Sequence, residues 1–453
     1  MTAPSMHRRA ALAGAGLAVL AGGKASGQIQ LAQAQQSQAQ QPRAAAPATT
    51  PSSATDTVRG FSKARLARIR PVMEAEAARN SFPGAVTLIA RQGEIIHLEA
   101  HGHLDAAKTK PMTPDAIFLQ ASMTKPVVSA LAMMMVEQGR VKLDDPVHTY
   151  LPELAELKVE VRRQGAEPEF VPPTRPPTIH DLLRHSAGLI YANPTSPSAG
   201  IRAAYERHDI EARNGPVPTR AMLQQLGTIP LAFQPGTTFH YSIATDVLGL
   251  TLERAAGQRL DRLLARDLTG PLGMAETTWF VPQEKRARIA EAPTTDTLTA
   301  SMWQSYRITE DPGDASYFKG GAGLVSTAAD YHRFAQMIAN GGVFDGVRYL
   351  SPATVRFMLS NHIVGMAGST AGTTGPGYGF GLGFGVRLDD GMGTAPGSPG
   401  DAMWAGAWGT SFTIDRAEGL VAILMAQGPS NRFRTRMIFK NLVYGAMTES
   451  LRA

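Results

Sequence analysis

The sequence predicts an α/β (α+β) fold, in which an antiparallel sheet built from both ends of the chain is flanked by helices and interrupted by an inserted, mostly helical lobe. Three observations carry this. The stretch GAVTLIARQGEIIHLEAHG, from Gly84, holds two β-rich runs around the turn RQG, which is the pattern of an antiparallel hairpin. A second hairpin pattern, TSFTIDRAEGLVAILMAQ, begins at Thr410. Between them, helical periodicities alternate with Pro- and Gly-rich loops such as VPPTRPPT and FQPGTTFH, as expected of a lobe set into a sheet domain.

Taken in order, the first element is a targeting segment. MHRRAALAGAGLAVLAGG starts basic and continues as a run of small apolar residues, too short and too Gly-rich to span a bilayer, so residues 1–34 read as a signal peptide. Arg8 and Arg9 sit directly before the apolar run, as in twin-arginine export signals, although HRRAAL lacks the bulky residue those signals often carry after the pair. Cleavage after Ala25 or Ala34 gives an exported bacterial protein, periplasmic or secreted, with no stable membrane span. Residues 35–60, rich in Gln, Ala and Pro, read as a flexible linker.

The folded domain is expected over 61–448, with sheet parts at about 61–125 and 321–448 and the helical lobe at about 126–320. From 61 to 78, Leu66, Ile69 and Met73 recur at helical spacing, giving an amphipathic helix kinked at Pro71. At the other end, NRFRTRMIFKNLVYGAM places Phe433, Met437, Ile438 and Leu442 on one helical face.

Composition narrows the chemistry. The chain has 453 residues, 43% of them hydrophobic, and no cysteine. Disulfides, thiolate nucleophiles and thiolate metal sites are therefore excluded, and a nucleophile must be Ser, Thr, Lys or a carboxylate. The net charge is +6, but the basic residues are scattered and form no basic-aromatic stripe, so nucleic acid is not an expected partner.

One stretch combines a nucleophile with a base. In ASMTKPVVSALAMMMV, Ser122 stands at the expected start of a helix and Lys125 one turn on, on the same face. Pro126 is tolerated only in or near a first turn, which fixes the helix start close to Ser122. The remainder is apolar on every side and reads as a buried central helix, its Met triplet as core packing. A serine hydroxyl needs a neighbouring base to take its proton, and a desolvated lysine can be that base.

Three other patterns in the chain compete with this pair and are weaker. Ser316 and Lys319 repeat the spacing in SYFKGGAG, but a glycine cluster follows in place of a buried helix, so nothing is expected to desolvate that lysine. HGHLDA, from His101, spells a metallo-hydrolase motif without a downstream ligand cluster, and reads as a strand-end turn with no metal. No G-x-S-x-G occurs, and His180, His185 and His240 read as loop and packing residues.

Around Ser122 the chain resembles the serine β-lactamase and penicillin-binding-protein superfamily, in the branch of class C β-lactamases, DD-peptidases and family VIII carboxylesterases. The resemblance rests on ASMTKP, LDDPVHTYLPEL, TIHDLLRHSAGL, FQPGTTFHYSIATDVLGL, PLGMAETTW and GGAGLVSTAADYHRFAQMIANGG, in order from about 80 to 430. It implies a β-lactamase-like fold, with Ser122 and Lys125 as the S-x-x-K nucleophile and base and no metal or organic cofactor. It also implies that Tyr241, in HYSI, is the tyrosine of the Y-x-N motif and shares the proton shuttle. WAGAWG, from Trp404, is similar to the W-x-G that replaces K-T-G in some family VIII esterases. On that pattern the oxyanion donors are the N–H groups of Ser122 and Ala407, and Gly406 admits substrate close to the strand.

The departures from the family are informative. Ile243 stands at the motif's asparagine and Trp404 at its lysine, and neither can make the polar contacts those residues give a β-lactam. Both changes point to neutral, apolar acyl groups and to a small-molecule ester as substrate. A β-lactamase, D-amino-acid peptidase or other amide hydrolase on the same site stays open, as does a non-catalytic penicillin-recognition-like binding module.

Overall fold

Seven strands form one antiparallel sheet: β1 (Gly84–Arg91), β2 (Glu94–Gly102), β3 (Tyr378–Phe380), β4 (Gly385–Arg387), β5 (Ala402–Ala405), β6 (Ser411–Asp415) and β7 (Leu420–Ala426). Their order is β3-β4-β5-β6-β7-β1-β2, so the two hairpins legible in the sequence meet in the middle, with Ala85 opposite Ala426 and Arg91 opposite Leu420. The computed structural model describes residues 56–299, 306–311, 313 and 316–452; the signal-peptide segment and most of the linker lie outside them.

All eight residues of β1 are buried, because helices cover both faces of the sheet. Helices α1 (Ile69–Ala78), α4 (Ala328–Ala339) and α5 (Arg432–Ala446) do this work, while α2 (Thr124–Glu137) and α3 (Ala244–Ala256) pack on each other at the junction with the lobe. Ala85, Ile89 and Leu424 pack with Ile69 and Met73 of α1 and Phe439 and Val443 of α5. On the opposite face Val86, Leu88 and Ile423 join the apolar residues of α4 and of α2, and the same core runs on into the lobe. Twelve of the fourteen α2 residues are buried, and full burial of a Val, Leu or Met side chain is worth about 1.5–3 kcal/mol. Among the described residues, no helix is long and apolar enough to cross a membrane.

Several local expectations change. Residues 61–78 form two helices, Lys63–Leu66 and α1. Pro71 falls in the first turn of α1, where its missing N–H costs no bond, so it marks a start and not a kink. Thr57 and Val58 pair with Ser62 and Phe61, which moves the domain edge back into the expected linker. On α5 the buried face is Thr435, Phe439, Val443 and Ala446, whereas Phe433 is 51% exposed. The lobe also holds a small hairpin, Val159–Val161 with Glu169–Val171.

His101, the first residue of the metal-like motif, lies next to the end of β2, and the turn that follows is held by Asp105, which accepts from Thr109 and Lys110 N–H. His97, Glu99 and His101 share one face of β2, but Thr87 Oγ1 occupies the space between the rings, 2.8 Å from each Nε2. Burial, with Arg70 nearby, pushes both imidazoles down to about 4.

The lobe is anchored by Asp181, which is fully buried in the helix Ile179–Leu183. Its carboxylate takes hydrogen bonds from Arg175, Arg184 Nη2 (3.0 Å), Ser186 Oγ (2.8 Å) and Thr178 N–H (3.1 Å). Burial opposes its ionisation, but the bonds and charge of Arg175 outweigh that and hold the group at about 2. Its stabilising contribution is therefore complete above its unfolded value of about 4 and is lost as pH falls through about 2. Asp181→Ala leaves two arginines unpaired, and we expect it to cost roughly 3–5 kcal/mol. Urea unfolding at pH 7 checks this; a loss below about 1 kcal/mol contradicts it.

Candidate active site

The nucleophile turn is set by an unusual backbone. Ala121, wholly buried, has a left-handed φ of 43°, a conformation that costs a non-glycine residue on the order of 1–3 kcal/mol and survives only where the surroundings enforce it. They do so here: Tyr331 Oη of α4 donates to Met123 O at 2.9 Å, and Leu324 N–H to Thr124 Oγ1 at 3.0 Å. A 3-10 turn over Ala121–Met123 then feeds directly into α2, with Pro126 in its first turn.

Ser122 faces a cleft of about 470 Å³, and Lys125 lies beneath it with no exposed surface. Lys125 Nζ donates to Gly321 O at 2.7 Å and stands 2.9 Å from Tyr191 Oη and 3.5 Å from Ser122 Oγ. It also lies 4.7 Å from the ring centre of Tyr241. Behind Gly321, Asp246 of α3 accepts the Gly321 N–H at 3.2 Å. Burial raises the affinity of this carboxyl for its proton, and the charge of Lys125 works against that.

Tyr241 lines the cleft with Ile243 and Ala407, and its hydroxyl has no partner among the described residues. Its ring is fixed by His185 at 4.8 Å, Trp404 at 5.3 Å and Tyr191 at 5.5 Å. His185 packs with Nδ1 3.3 Å from Ser242 N. Burial and the charge of Lys125 keep its imidazole well below the ordinary value, and so neutral.

Tyr191 is the site residue that sequence reasoning missed. The signal was present, because Tyr191-Ala192-Asn193 is itself a Y-x-N triplet, and both Tyr191 and Asn193 line the cleft. Burial, then the neighbouring Tyr241, pushes its phenol well above the usual range. It therefore stays protonated, and a hydroxyl can accept from an ammonium or donate to an amine.

Three expectations need correction. Trp404 is fully buried, packed at steep ring angles behind Tyr241 and Phe380, and does not line the cleft. Gly406 is not there to admit substrate: a Cβ at that position would lie 2.3 Å from the Gln120 carbonyl oxygen, so the glycine lets β5 pack against the nucleophile turn. Lys319, dismissed with Ser316 as solvated, lines the same cleft, donates to Ala212 O at 3.0 Å and has its ammonium disfavoured by burial. Ser316 Oγ is spent on Val217 N–H, so the two do not form a nucleophile and base.

The cleft is also less apolar than Ile243 alone suggests. Tyr306 and Tyr317 add aromatic wall, while Glu211, Arg213, Lys319 and Arg432 bring charge; Glu211 and Arg213 are paired at 2.6 Å. Ala407 N–H has no acceptor among the described residues, as a donor reserved for a ligand would not. The ensemble offers a serine beside an amine, two phenols and a free backbone donor, which suits acyl transfer through a covalent intermediate.

Comparison with known proteins identifies the family. The Beta-lactamase family model matches residues 67–444. Protein Rv1367c of Mycobacterium tuberculosis is 33% identical, the match covering 80% of this chain and 88% of that protein. Esterase EstB of Burkholderia gladioli is 31% identical over 83% of this chain and 94% of its own length. Among solved structures, EstCE1, described as a hydrolase with promiscuous acyltransferase activity, superposes with a TM-score of 0.67 at 27% identity, over 85% of this chain and 99% of that one. A family match across most of the folded residues, on a chain whose serine and lysine meet at the floor of one cleft, shows that this protein belongs to the Beta-lactamase family and is a serine hydrolase of that family.

Proposed function

We propose that the protein is an exported carboxylesterase that cleaves small neutral or apolar esters through an acyl-enzyme on Ser122. The observation that carries this reading is the approach of Lys125 Nζ to Ser122 Oγ, 3.5 Å, at the floor of a cleft that also holds the unused Ala407 N–H. Ser122 Oγ attacks the ester carbonyl carbon while Lys125 Nζ receives the hydroxyl proton. The carbonyl oxygen becomes an oxyanion held by the N–H groups of Ser122 and Ala407. As the tetrahedral intermediate collapses, the C–O bond to the alcohol breaks and the proton passes through Tyr241 to the leaving oxygen. Water repeats the sequence on the acyl-enzyme and releases the acid.

Esterase-named relatives and Ile243 at the position of the family's asparagine support ester over amide chemistry. The basic start and small apolar run of the first 34 residues support export. A second reading, hydrolysis of anionic amides such as β-lactams, is favoured by one observation: Lys319 and Arg432 bring positive charge into the cleft.

The test is kcat/KM on p-nitrophenyl acetate, butyrate and octanoate beside nitrocefin, with protein lacking residues 1–34. Ester rates should exceed the nitrocefin rate by at least about a hundredfold, and the reverse ranking would select the second reading. Ser122→Ala should abolish turnover and Lys125→Ala should cost several orders of magnitude, roughly 10³-fold or more; a Lys125→Ala enzyme with near-normal kcat would show that another group is the base. Tyr191→Phe removes a hydrogen bond to the Lys125 head group, worth about 1.5–3 kcal/mol, so kcat should fall about 10- to 100-fold with a modest fall in Tm. Gly406→Ala should lower kcat and Tm together, since its methyl group must displace the Gln120 carbonyl; an unchanged kcat would free β5 of that role.

A further inference from the structure

Helix α5 carries a guanidinium that has no carboxylate to answer it. Among the described residues Arg436 forms no ion pair, and its Nε has no hydrogen-bond partner. Arg436 is half-buried with its Nε wholly enclosed, and a largely desolvated cation without a counter-charge is costly and does not account for itself through stability. Its one strong contact is backbone: Arg436 Nη2 donates to Gly406 O, which also accepts Gly409 N–H at 3.0 Å.

That carbonyl is not an arbitrary acceptor. Gly406 C=O and Ala407 N–H are the two ends of one peptide unit, and in a planar trans peptide they point in opposite directions. Arg436 therefore grips the unit from behind, and Ala407, whose N–H is without an acceptor, looks into the cleft beside Ser122. Two donors on the oxygen, one of them cationic, draw electron density from the amide nitrogen and make its proton a stronger donor, the cooperative effect of chained hydrogen bonds. They also lock the peptide plane. Burial, reinforced by Arg432, lowers the guanidinium to about 9, which leaves it charged at neutral pH.

We propose that Arg436 is a positioning residue of the oxyanion site: through Gly406 O it orients and polarises the Ala407 N–H that receives the developing negative charge. This rests on the acyl-transfer reading above. It adds to that reading a residue that touches neither substrate nor nucleophile.

The test compares Arg436→Met, which keeps the length and loses the donor, with Arg436→Lys, which can still place an ammonium on the carbonyl. Removing a whole oxyanion donor costs about 10²–10³ in kcat; weakening one should cost Arg436→Met about 10- to 100-fold in kcat with KM within about threefold, and Arg436→Lys should regain most of it. Phenylboronic acid, whose adduct on Ser122 places an oxygen in the same hole, should bind Arg436→Met more weakly by about the same factor as the loss in kcat/KM. A folded Arg436→Met enzyme with wild-type kcat overturns the proposal. So does a loss shared equally by kcat and KM, unrecovered in Arg436→Lys and accompanied by a large fall in Tm, since that describes a packing residue. Each result is a ratio to the wild type on its best substrate. Absence of ester turnover in the wild type would therefore count against the esterase reading alone, and the same ratios would then be taken with nitrocefin.

Discussion

Keeping the head group of one lysine out of water is the constraint on which the site depends. An ammonium or amine in an apolar interior must be given partners by the protein, because an unsatisfied one costs several kcal/mol. Lys125 finds them in three separate parts of the chain: Ser122 on its own turn, Tyr191 in the lobe and the Gly321 carbonyl ahead of α4. Asp246, buried on α3, fixes Gly321 in turn. None of these contacts is local except the first. The lobe and the sheet must both be folded before the lysine is satisfied, so the catalytic arrangement is a property of the whole domain.

A second constraint is backbone fit between the nucleophile turn and the end of β5. Gly406 leaves no room for a side chain beneath Gln120, and Thr410 closes the contact by donating to Gln120 O at 3.4 Å and accepting Gly406 N–H at 2.9 Å. The left-handed Ala121 belongs to the same junction. Strain in the turn is thus held by a strand nearly three hundred residues away in sequence, and Ser122 and Ala407 reach one cleft because their two backbones are pressed together.

Much of this was legible in the sequence, for physical reasons that can be named. The two hairpins are written in periodicity, the burial of α2 in its long apolar run, and the Ser122–Lys125 pair in the spacing of one helical turn. What escaped notice depends on tertiary placement. Strands β3, β4 and β5 are three or four residues long, too short for a period to emerge. Trp404 and Gly406 sit in a motif whose position was legible, but whether they face substrate or core depends on what packs behind them, and that is Tyr241 and Gln120. Lys319 read as exposed because its own neighbours are glycines; the residues that desolvate it arrive from the lobe, around Ala212. Tyr191 was hidden by a second tyrosine that fitted the motif in a longer matching stretch.

The pairing of β1 with β7 has a consequence for how the protein is made. A ribosome delivers β1 more than three hundred residues before its partner, an interval of roughly 15–60 s at ordinary elongation rates. Through that interval the nascent chain carries a strand with apolar side chains on both faces and one bare edge, the arrangement most prone to pair with the wrong chain. Closing so long a loop adds to the delay. The central position of β1, which makes the finished sheet secure, makes the unfinished one adhesive, and the yield of this enzyme in any host should be governed by what shields residues 84–91 until the last eighth of the chain emerges.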